Sequence, residues 1–404
     1  CLNGLLDPAR RPKPVMAECA KVFQNLRMEA HDIQSGLFML FNDFDFSDIS
    51  GVSASWRLVF VHPEMVDASL PTSGPISLPP LAPGESAVID LSWLMDAAYR
   101  AAYCRTEAFL VCEFCLAEDT SWASRGHRIA WEQFSLSTGA GPDRAGAETV
   151  QEYGEDGTES CHATFTDSGF LSSLSLGNRV VTKGPLCLNL YRAPTQNDGL
   201  KNFSHLRGMP EHSWYFNRKP LDLWWDYDLA HLQYHPLPLG TESLFSGQTS
   251  HHDGYEVQDG TGHKLGEFFQ RWTFQGPALI GDFLFSLADG LDDYPRVGLT
   301  FPLALEWDTI AWFGRGPHEN YPDRKIGAMI DYHGPVTADS LYVPYILPQD
   351  NGVRTDVRFI DFFHRKGGPR LRISSLQPMA FSVSPYTPVQ LWHAAHADQL
   401  EPAP

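Results

Sequence analysis

No stretch of the chain stays apolar for the roughly 18 positions that a membrane helix needs. The longest candidate, AFLVCEFCLAE at 108–118, is short and carries Glu113. A membrane role is therefore not expected. Positive charge is also scarce, with 30 Lys and Arg against 49 Asp and Glu and a formal net charge of −19. Nucleic-acid binding needs a basic face, and no Lys/Arg run is long enough to supply one. A neutral or cationic ligand fits this balance better than a polyanion. Cysteine is sparse and irregular, with seven residues at 1, 19, 104, 112, 115, 161 and 187. An odd, unpatterned set argues against a disulfide framework. Cys112 and Cys115 form a C-x-x-C, but residues three apart on a strand face opposite sides, so one metal could not easily take both. They read as reduced packing residues, and a cytoplasmic location is expected.

Recognisable catalytic and cofactor signatures are missing too. There is no G-x-S-x-G, no phosphate-binding P-loop and no dinucleotide glycine pattern beside a strand–helix pair. His251-His252-Asp253 has no third ligand at a telling spacing, which argues against a zinc site. Helical periodicity is confined to two segments, WWDYDLAHLQ at 224–233 and TPVQLWHAAHADQ at 387–399. The second has Thr387 as N-cap, Pro388 at the first helical position and an apolar face at Val389, Leu391 and Trp392.

What the sequence does hold is aromatic residues (11 Trp, 14 Tyr and 25 Phe) and many short strand patterns in 404 residues. That length exceeds what one core usually holds, so two or three domains are expected. Residues 1–15 carry Pro8, Pro12 and Pro14 and read as an extended strap without helix. Over 16–137, six or seven strands at short intervals, from KVFQNLRMEAHD to HRIAWEQFSL, suggest an immunoglobulin-like β-sandwich. SASWRLVFVHPE at 53–64 would put Trp56, Leu58 and Phe60 on one face. Residues 138–150, rich in Gly, Ala and Thr, read as a linker. Strand signals then recur over 151–404 and suggest a large β-sandwich with long loops. The fold class is all-β.

Three loops concentrate polar residues. YRAPTQNDG at 191–199 ends a strand with Pro194 and a tight Asn197-Asp198-Gly199 turn. Arg192 there reads either as a buried cap with Asp198 as partner or as a ligand-facing group. GRGPHENYPDR at 314–324 holds Glu319, Asp323, Arg315 and Arg324, which could pair among themselves. Glu319 and Asp323 could also be a glycosidase carboxylate pair, which needs roughly 6.5–9.5 Å for inversion or 5–5.5 Å for retention. The self-satisfied turn is the favoured reading. YVPYILPQDNG at 342–352 offers Gln349, Asp350 and Asn351, suited to sugar hydroxyls or to the turn itself.

In their order and spacing, CLNGLLDPARRPKP at 1–14, HRIAWEQFSL at 127–136, YRAPTQNDG, GRGPHENYPDR and YVPYILPQDNG resemble the large β-galactosidases of glycoside hydrolase family 2. The resemblance is to their C-terminal portion and covers nearly the whole chain. It implies a second immunoglobulin-like domain followed by a galactose-mutarotase-like β-sandwich, truncated at its C-terminal end. The first residue is Cys rather than Met and no secretory leader follows it, so the sequence reads as a piece of a longer product.

The resemblance further implies a retaining hydrolase of terminal β-galactosides such as lactose, homo-oligomeric, with magnesium and sodium bound in the full-length enzyme. Its catalytic glutamates would lie in a (β/α)8 barrel upstream of Cys1, so no catalytic residue is assigned in this chain. Asn3 would match a sodium ligand. Gly199, Leu200 and Lys201 would open a mobile loop near the substrate. Arg192, Asn197, Asp198, Glu319, Asn320, Tyr321, Asp323 and Arg324 would be structural. Gln196 stands where the bacterial form often has Asp, and no substrate-stacking Gly-Asp-Asp-Ser-Trp-like motif is found. Two alternatives remain open. One is a non-catalytic sugar-binding module with Trp224, Trp225 and Trp312 as stacking platforms. The other is a mutarotase-like epimerase using Glu319 with His318.

Overall fold

A computed structural model describes residues 4–61, 72–95, 107–136, 161–182, 184–199, 209, 220–224, 226–238, 251–275, 278–291 and 293–402. The expected linker at 138–150, and Asn3, Leu200, Lys201 and Trp225, fall outside this set. The chain enters through a turn in which Leu6 bridges Pro12. A helix follows, α1 (Val15–Val22). This corrects the sequence reading, which placed strand from residue 20 and left no helix in the strap. Pro14 occupies the cap position, where a missing N–H costs nothing, and Met16, Ala17, Glu18, Ala20 and Lys21 are strong helix formers. Glu18 in the first turn and Lys21 in the last also match the helix dipole.

Seven strands then build two antiparallel sheets: β1 (Leu26–Asp32), β2 (Leu37–Asn42), β3 (Val52–Phe60), β4 (Ser73–Ile76), β5 (Ser86–Asp90), β6 (Ala108–Leu116) and β7 (Arg128–Ser135). The sheet orders are β1-β2-β5 and β4-β3-β6-β7. Alternation fills the space between them. Ala54, Trp56, Leu58 and Phe60 of β3 join Phe38, Leu40, Leu110, Cys112 and Phe114 in one buried core, so the expected face of β3 is the inner one. Trp56 lies opposite Gly74, whose absent Cβ leaves room for the indole. Cys112 is in this core, where burial pushes its thiol up, and Cys115 is only half-buried.

The second β-unit begins with β8 (Cys161–Phe165), β9 (Leu171–Leu176), β10 (Arg179–Val180) and β11 (Cys187–Asn189), followed by α2 (Pro220–Trp224). Next come β12 (Gln233–Pro236), β13 (His251–Gln258), β14 (Lys264–Gln275), β15 (Ala278–Leu287) and β16 (Gly298–Thr300). The last strands are β17 (Thr309–Gly316), β18 (Met329–Thr337), β19 (Arg354–Phe363) and β20 (Arg370–Phe381), with α3 (Ala338–Leu341) after β18 and α4 (Pro388–His393) after β20. Two four-stranded antiparallel sheets dominate, β12-β13-β14-β15 and β18-β17-β19-β20.

The helix expected at 224–233 is not there. α2 ends at Trp224, and β12 starts at Gln233. Asp228 instead accepts from His231 in a local turn, while Leu229, Leu232 and Tyr234 point into the core built on Tyr255, Val257 and Phe268. Tertiary burial and Asp turn chemistry override the weak helical period. α4 is as the caps predict, though shorter: Thr387 and Gln390 form a reciprocal capping box, with Pro388 at the first position.

The two units meet through a mixed joint. Val59, Val61, Phe109 and Val111 of the first pack on Phe313, Ile330 and Phe359 of the second. Each fully buried Val or Phe contributes about 1.5–3 kcal/mol. Around this patch, Arg57 pairs with Asp331 at 2.8 Å, and Arg358 Nε donates to Glu107 at 2.8 Å. Gln133 both accepts from the Ile330 N–H (2.9 Å) and donates to its carbonyl (2.7 Å).

Candidate functional site

The loops after β17 and after α3 meet because the antiparallel pairing of β17 with β19 sets the end of the first strand beside the start of the second, and the loop after β11 joins them through Gln196 and Gln349. Their Gly and Pro residues prevent regular pairing, so backbone polar groups arrive at depth and need side-chain partners. Glu319 supplies three contacts. Its Oε1 accepts from the Arg324 guanidinium and the Tyr345 hydroxyl, and its Oε2 accepts from the Gly352 N–H at 2.7 Å. The Glu319 side chain has 0% exposure. Asn320 Oδ1 accepts from the Thr355 N–H (2.9 Å) and hydroxyl (2.5 Å), and its amide donates to the His318 carbonyl at 3.1 Å.

Arg354 was not singled out from sequence, yet it is buried at the centre. It donates to the carbonyls of Pro317 (2.9 Å), Gly352 (2.7 Å) and Leu341 (3.2 Å), with its guanidinium 5.4 Å from the Trp312 ring centre. Burial pushes its pKa down to about 10 against the pull of Glu319 and Tyr321, so it stays charged at neutral pH.

A second knot sits beside the first. Arg192 grips Asp198 with two bonds of 2.6 and 2.9 Å and donates to the Pro295 carbonyl at 3.0 Å. Asp198 also accepts from the Thr195 N–H (2.7 Å) and hydroxyl (2.9 Å). Burial alone would raise Asp198, but the Arg192 bonds and charge and the Thr195 donors outweigh it and hold the carboxyl below its usual range. Asp350 behaves oppositely. Burial dominates and raises it, although Arg296 reaches both its oxygens at 3.1 Å and Tyr321 donates at 3.2 Å. Gln349 accepts from the Gln196 N–H at 3.1 Å, joining the 192–198 loop to the 342–352 loop. Asn351 accepts from the Val343 N–H at 3.0 Å, closing its own turn.

Arg315 pairs with Asp356 at 2.6 Å, not with Glu319 or Asp323. Asp323 and Asn197 are exposed at the surface. Gly199 is buried, and a Cβ on it would lie 2.9 Å from the Leu221 Cβ. Both described tryptophans proposed as sugar platforms are unavailable. Trp224 is 6% exposed and donates to the Asp293 carbonyl at 2.8 Å, while Trp312 is 1% exposed and donates to the Arg315 carbonyl at 3.0 Å. His318 is held below its ordinary pKa first by burial and then by Arg354 and Arg324, and both oxygens of Glu319 are already engaged by Arg324, Tyr345 and the Gly352 N–H.

These loops border an open cleft of about 3010 Å³. Arg192, Tyr321, Arg324, Tyr345 and Gln349 line it, together with residues of β15 and β20. Among the described residues no group of three or more His, Cys, Asp or Glu side chains could hold a metal ion. No described helix is long and apolar enough to cross a membrane.

Arg296, Arg354, Tyr345, Thr355 and Asp356 complete the network but gave no signal in sequence, except Tyr345, which sits in the Pro-interrupted aromatic segment. Their partners are distant in sequence, as with Arg296 and Asp350, 54 residues apart.

Comparison with known proteins places both β-units. The model of the beta galactosidase small chain matches residues 157–403, and that of beta-galactosidase domain 4 matches residues 38–137. The chain is 27% identical over 417 residues to a beta-galactosidase of Klebsiella pneumoniae, covering 99% of this chain and 37% of that protein. It is 29% identical over 422 residues to a beta-galactosidase of Arthrobacter sp. (strain B7), covering 99% and 38%. A Vibrio cholerae beta-galactosidase is 27% identical over 438 residues, covering 99% and 36%. The chain thus spans little more than a third of the length of the curated relatives it matches.

Proposed function

Because the chain belongs to the beta-galactosidase small-chain family, we propose that it forms the β-sandwich portion of a glycoside hydrolase family 2 enzyme that cleaves terminal β-D-galactosides such as lactose with retention. In this reading a carboxylate attacks the anomeric carbon, and a second, roughly 5–5.5 Å away, serves first as acid and then as base. Both come from a (β/α)8 barrel outside the residues described here. The chain's own loops act as scaffold and as part of the wall around the substrate, with subunit contacts in a cytoplasmic homo-oligomer. The second β-unit is the galactose-mutarotase-like sandwich of that enzyme. Magnesium and sodium serve the whole enzyme, Asn3 being a sodium ligand, and no described carboxylate or histidine cluster fits either ion.

The observation that carries this reading is the state of Glu319. A nucleophile or acid must turn a free lone pair or proton toward substrate. Glu319 has both oxygens committed to Arg324, Tyr345 and the Gly352 N–H, at zero exposure. That supports a structural carboxylate and bond-breaking groups elsewhere. Incubated alone with a chromogenic β-galactoside, the chain is expected to release no chromophore above a blank. Sustained turnover by the purified chain would overturn the proposal, and saturable heat on titration with galactose would favour a self-contained sugar-binding module.

A further inference from the structure

Helix α1 touches both β-units through polar groups, and none of its residues is fully buried. Toward the first unit, Lys21 pairs with Glu132 at 2.7 Å and donates to the Trp131 carbonyl, its ammonium 4.6 Å from the Trp131 ring centre. Gln24, just past the helix, reinforces this grip. It donates to Glu132 at 2.6 Å and accepts from the Trp131 N–H at 3.2 Å. Toward the second unit, Glu18 accepts from the N–H groups of Gly327 (2.7 Å) and Ile326 (3.3 Å). These are charge-assisted bonds to backbone donors that a strand does not otherwise use.

Gly327 carries an independent trace of the same contact. A Cβ there would lie 2.6 Å from the Ala17 carbonyl oxygen and 2.7 Å from the Glu18 Cα. The helix backbone rides directly on this glycine, closer than any other residue type would allow.

The turn that α1 holds is wired to the loop knot. Arg315 Nη1 donates to the carbonyls of Lys325 (3.0 Å) and Ala328 (2.7 Å), and Lys325 pairs with Asp356 at 3.1 Å. Arg324, two residues before Ile326, is the partner of Glu319 and lines the cleft. We propose that α1 is a latch: Glu18 and Lys21 tie the 325–328 turn to β7 of the first sandwich, so that the position of the strap sets the position of the cleft loop at 317–324. The latch couples the chain's entry segment to the cleft loop at 317–324.

Two substitutions separate the latch from the joint. Glu18→Ala removes the acceptor, and Gly327→Ala wedges the helix away while leaving every charge in place. Native-state hydrogen exchange, read residue by residue, is the measurement. In both variants the amides of Ile326, Gly327 and Arg324 should exchange about tenfold faster or more, with those of Leu110 and Val111 in β6 unchanged. Unchanged exchange across 317–328 in both folded variants would show that the helix merely rests on the surface. Equal acceleration in β6 would show general destabilisation rather than a latch. Either result overturns the proposal.

Discussion

The two β-units bury their interiors differently. Between Leu26 and Leu136 one apolar core fills the sandwich, apart from the joint residues Val59, Val61, Phe109 and Val111, and Asn42 is the single buried polar side chain among the described residues there. From Phe170 onward the apolar core splits into two clusters, and buried polar groups multiply: Asp198, Asp259, Gln270, Glu319, Asn320, Asp350, Arg354 and Asp361 among them. A closed sandwich with short turns is filled by alternation alone. Long Gly- and Pro-rich loops that meet at depth carry backbone groups with no strand partner, and side-chain carboxylates, amides and guanidinium groups must satisfy them. Density of charged residues in a loop therefore marks structural satisfaction as readily as it marks catalysis.

The sharpest way to break the comparison is to remove one partner from the polar knot. Glu319→Ala leaves Arg324 without its carboxylate and the Gly352 N–H without its acceptor, and should cost about 3–5 kcal/mol by urea unfolding. If the loss is under 1 kcal/mol, the knot is not what holds these loops. Next in size, Leu110→Ala in the first core should cost about 2–5 kcal/mol through transfer and cavity terms. Its effect should be the same at low and high salt, whereas a salt-dependent loss would contradict a purely apolar core.

The smallest expected effect is a pH dependence specific to the second unit. Burial lowers both His318 and His333, with Arg354 acting in the same direction on each. The unfolded chain then binds protons at a higher pH than the folded one, near the ordinary value of about 6.5. This share of stability is complete above that pH and is lost as pH falls through it toward the lower folded values. Replacing both with Asn or Gln should flatten the melting temperature between about pH 7 and 5. An unaltered slope would assign the acid sensitivity to other groups.

Much of the fold was legible because it rests on local periodicity. The inner face of β3, the strands β6 and β7, and the capping of α4 by Thr387 and Pro388 all follow from residues within a few positions of one another. Helix α1 was hidden by its neighbouring prolines, one of which caps it. The segment at 224–233 has a helical period that its burial against Tyr255 and Phe268 overrides. In the site, Arg192 and Asp198 are six residues apart and could be paired on paper. At the joint between the units, Glu107 with Arg358, 251 residues apart, could not, because a long-range ion pair leaves no periodic trace in either partner's surroundings.

A double-mutant cycle on Glu319 and Arg324 tests the central claim most directly. If these loops are held by mutual satisfaction of buried charge, the Glu319→Gln and Arg324→Met losses should be strongly non-additive, with a coupling of about 1–3 kcal/mol. Losses that add to within about 0.5 kcal/mol would mean that the two side chains do not support each other, and would free Glu319 for another role.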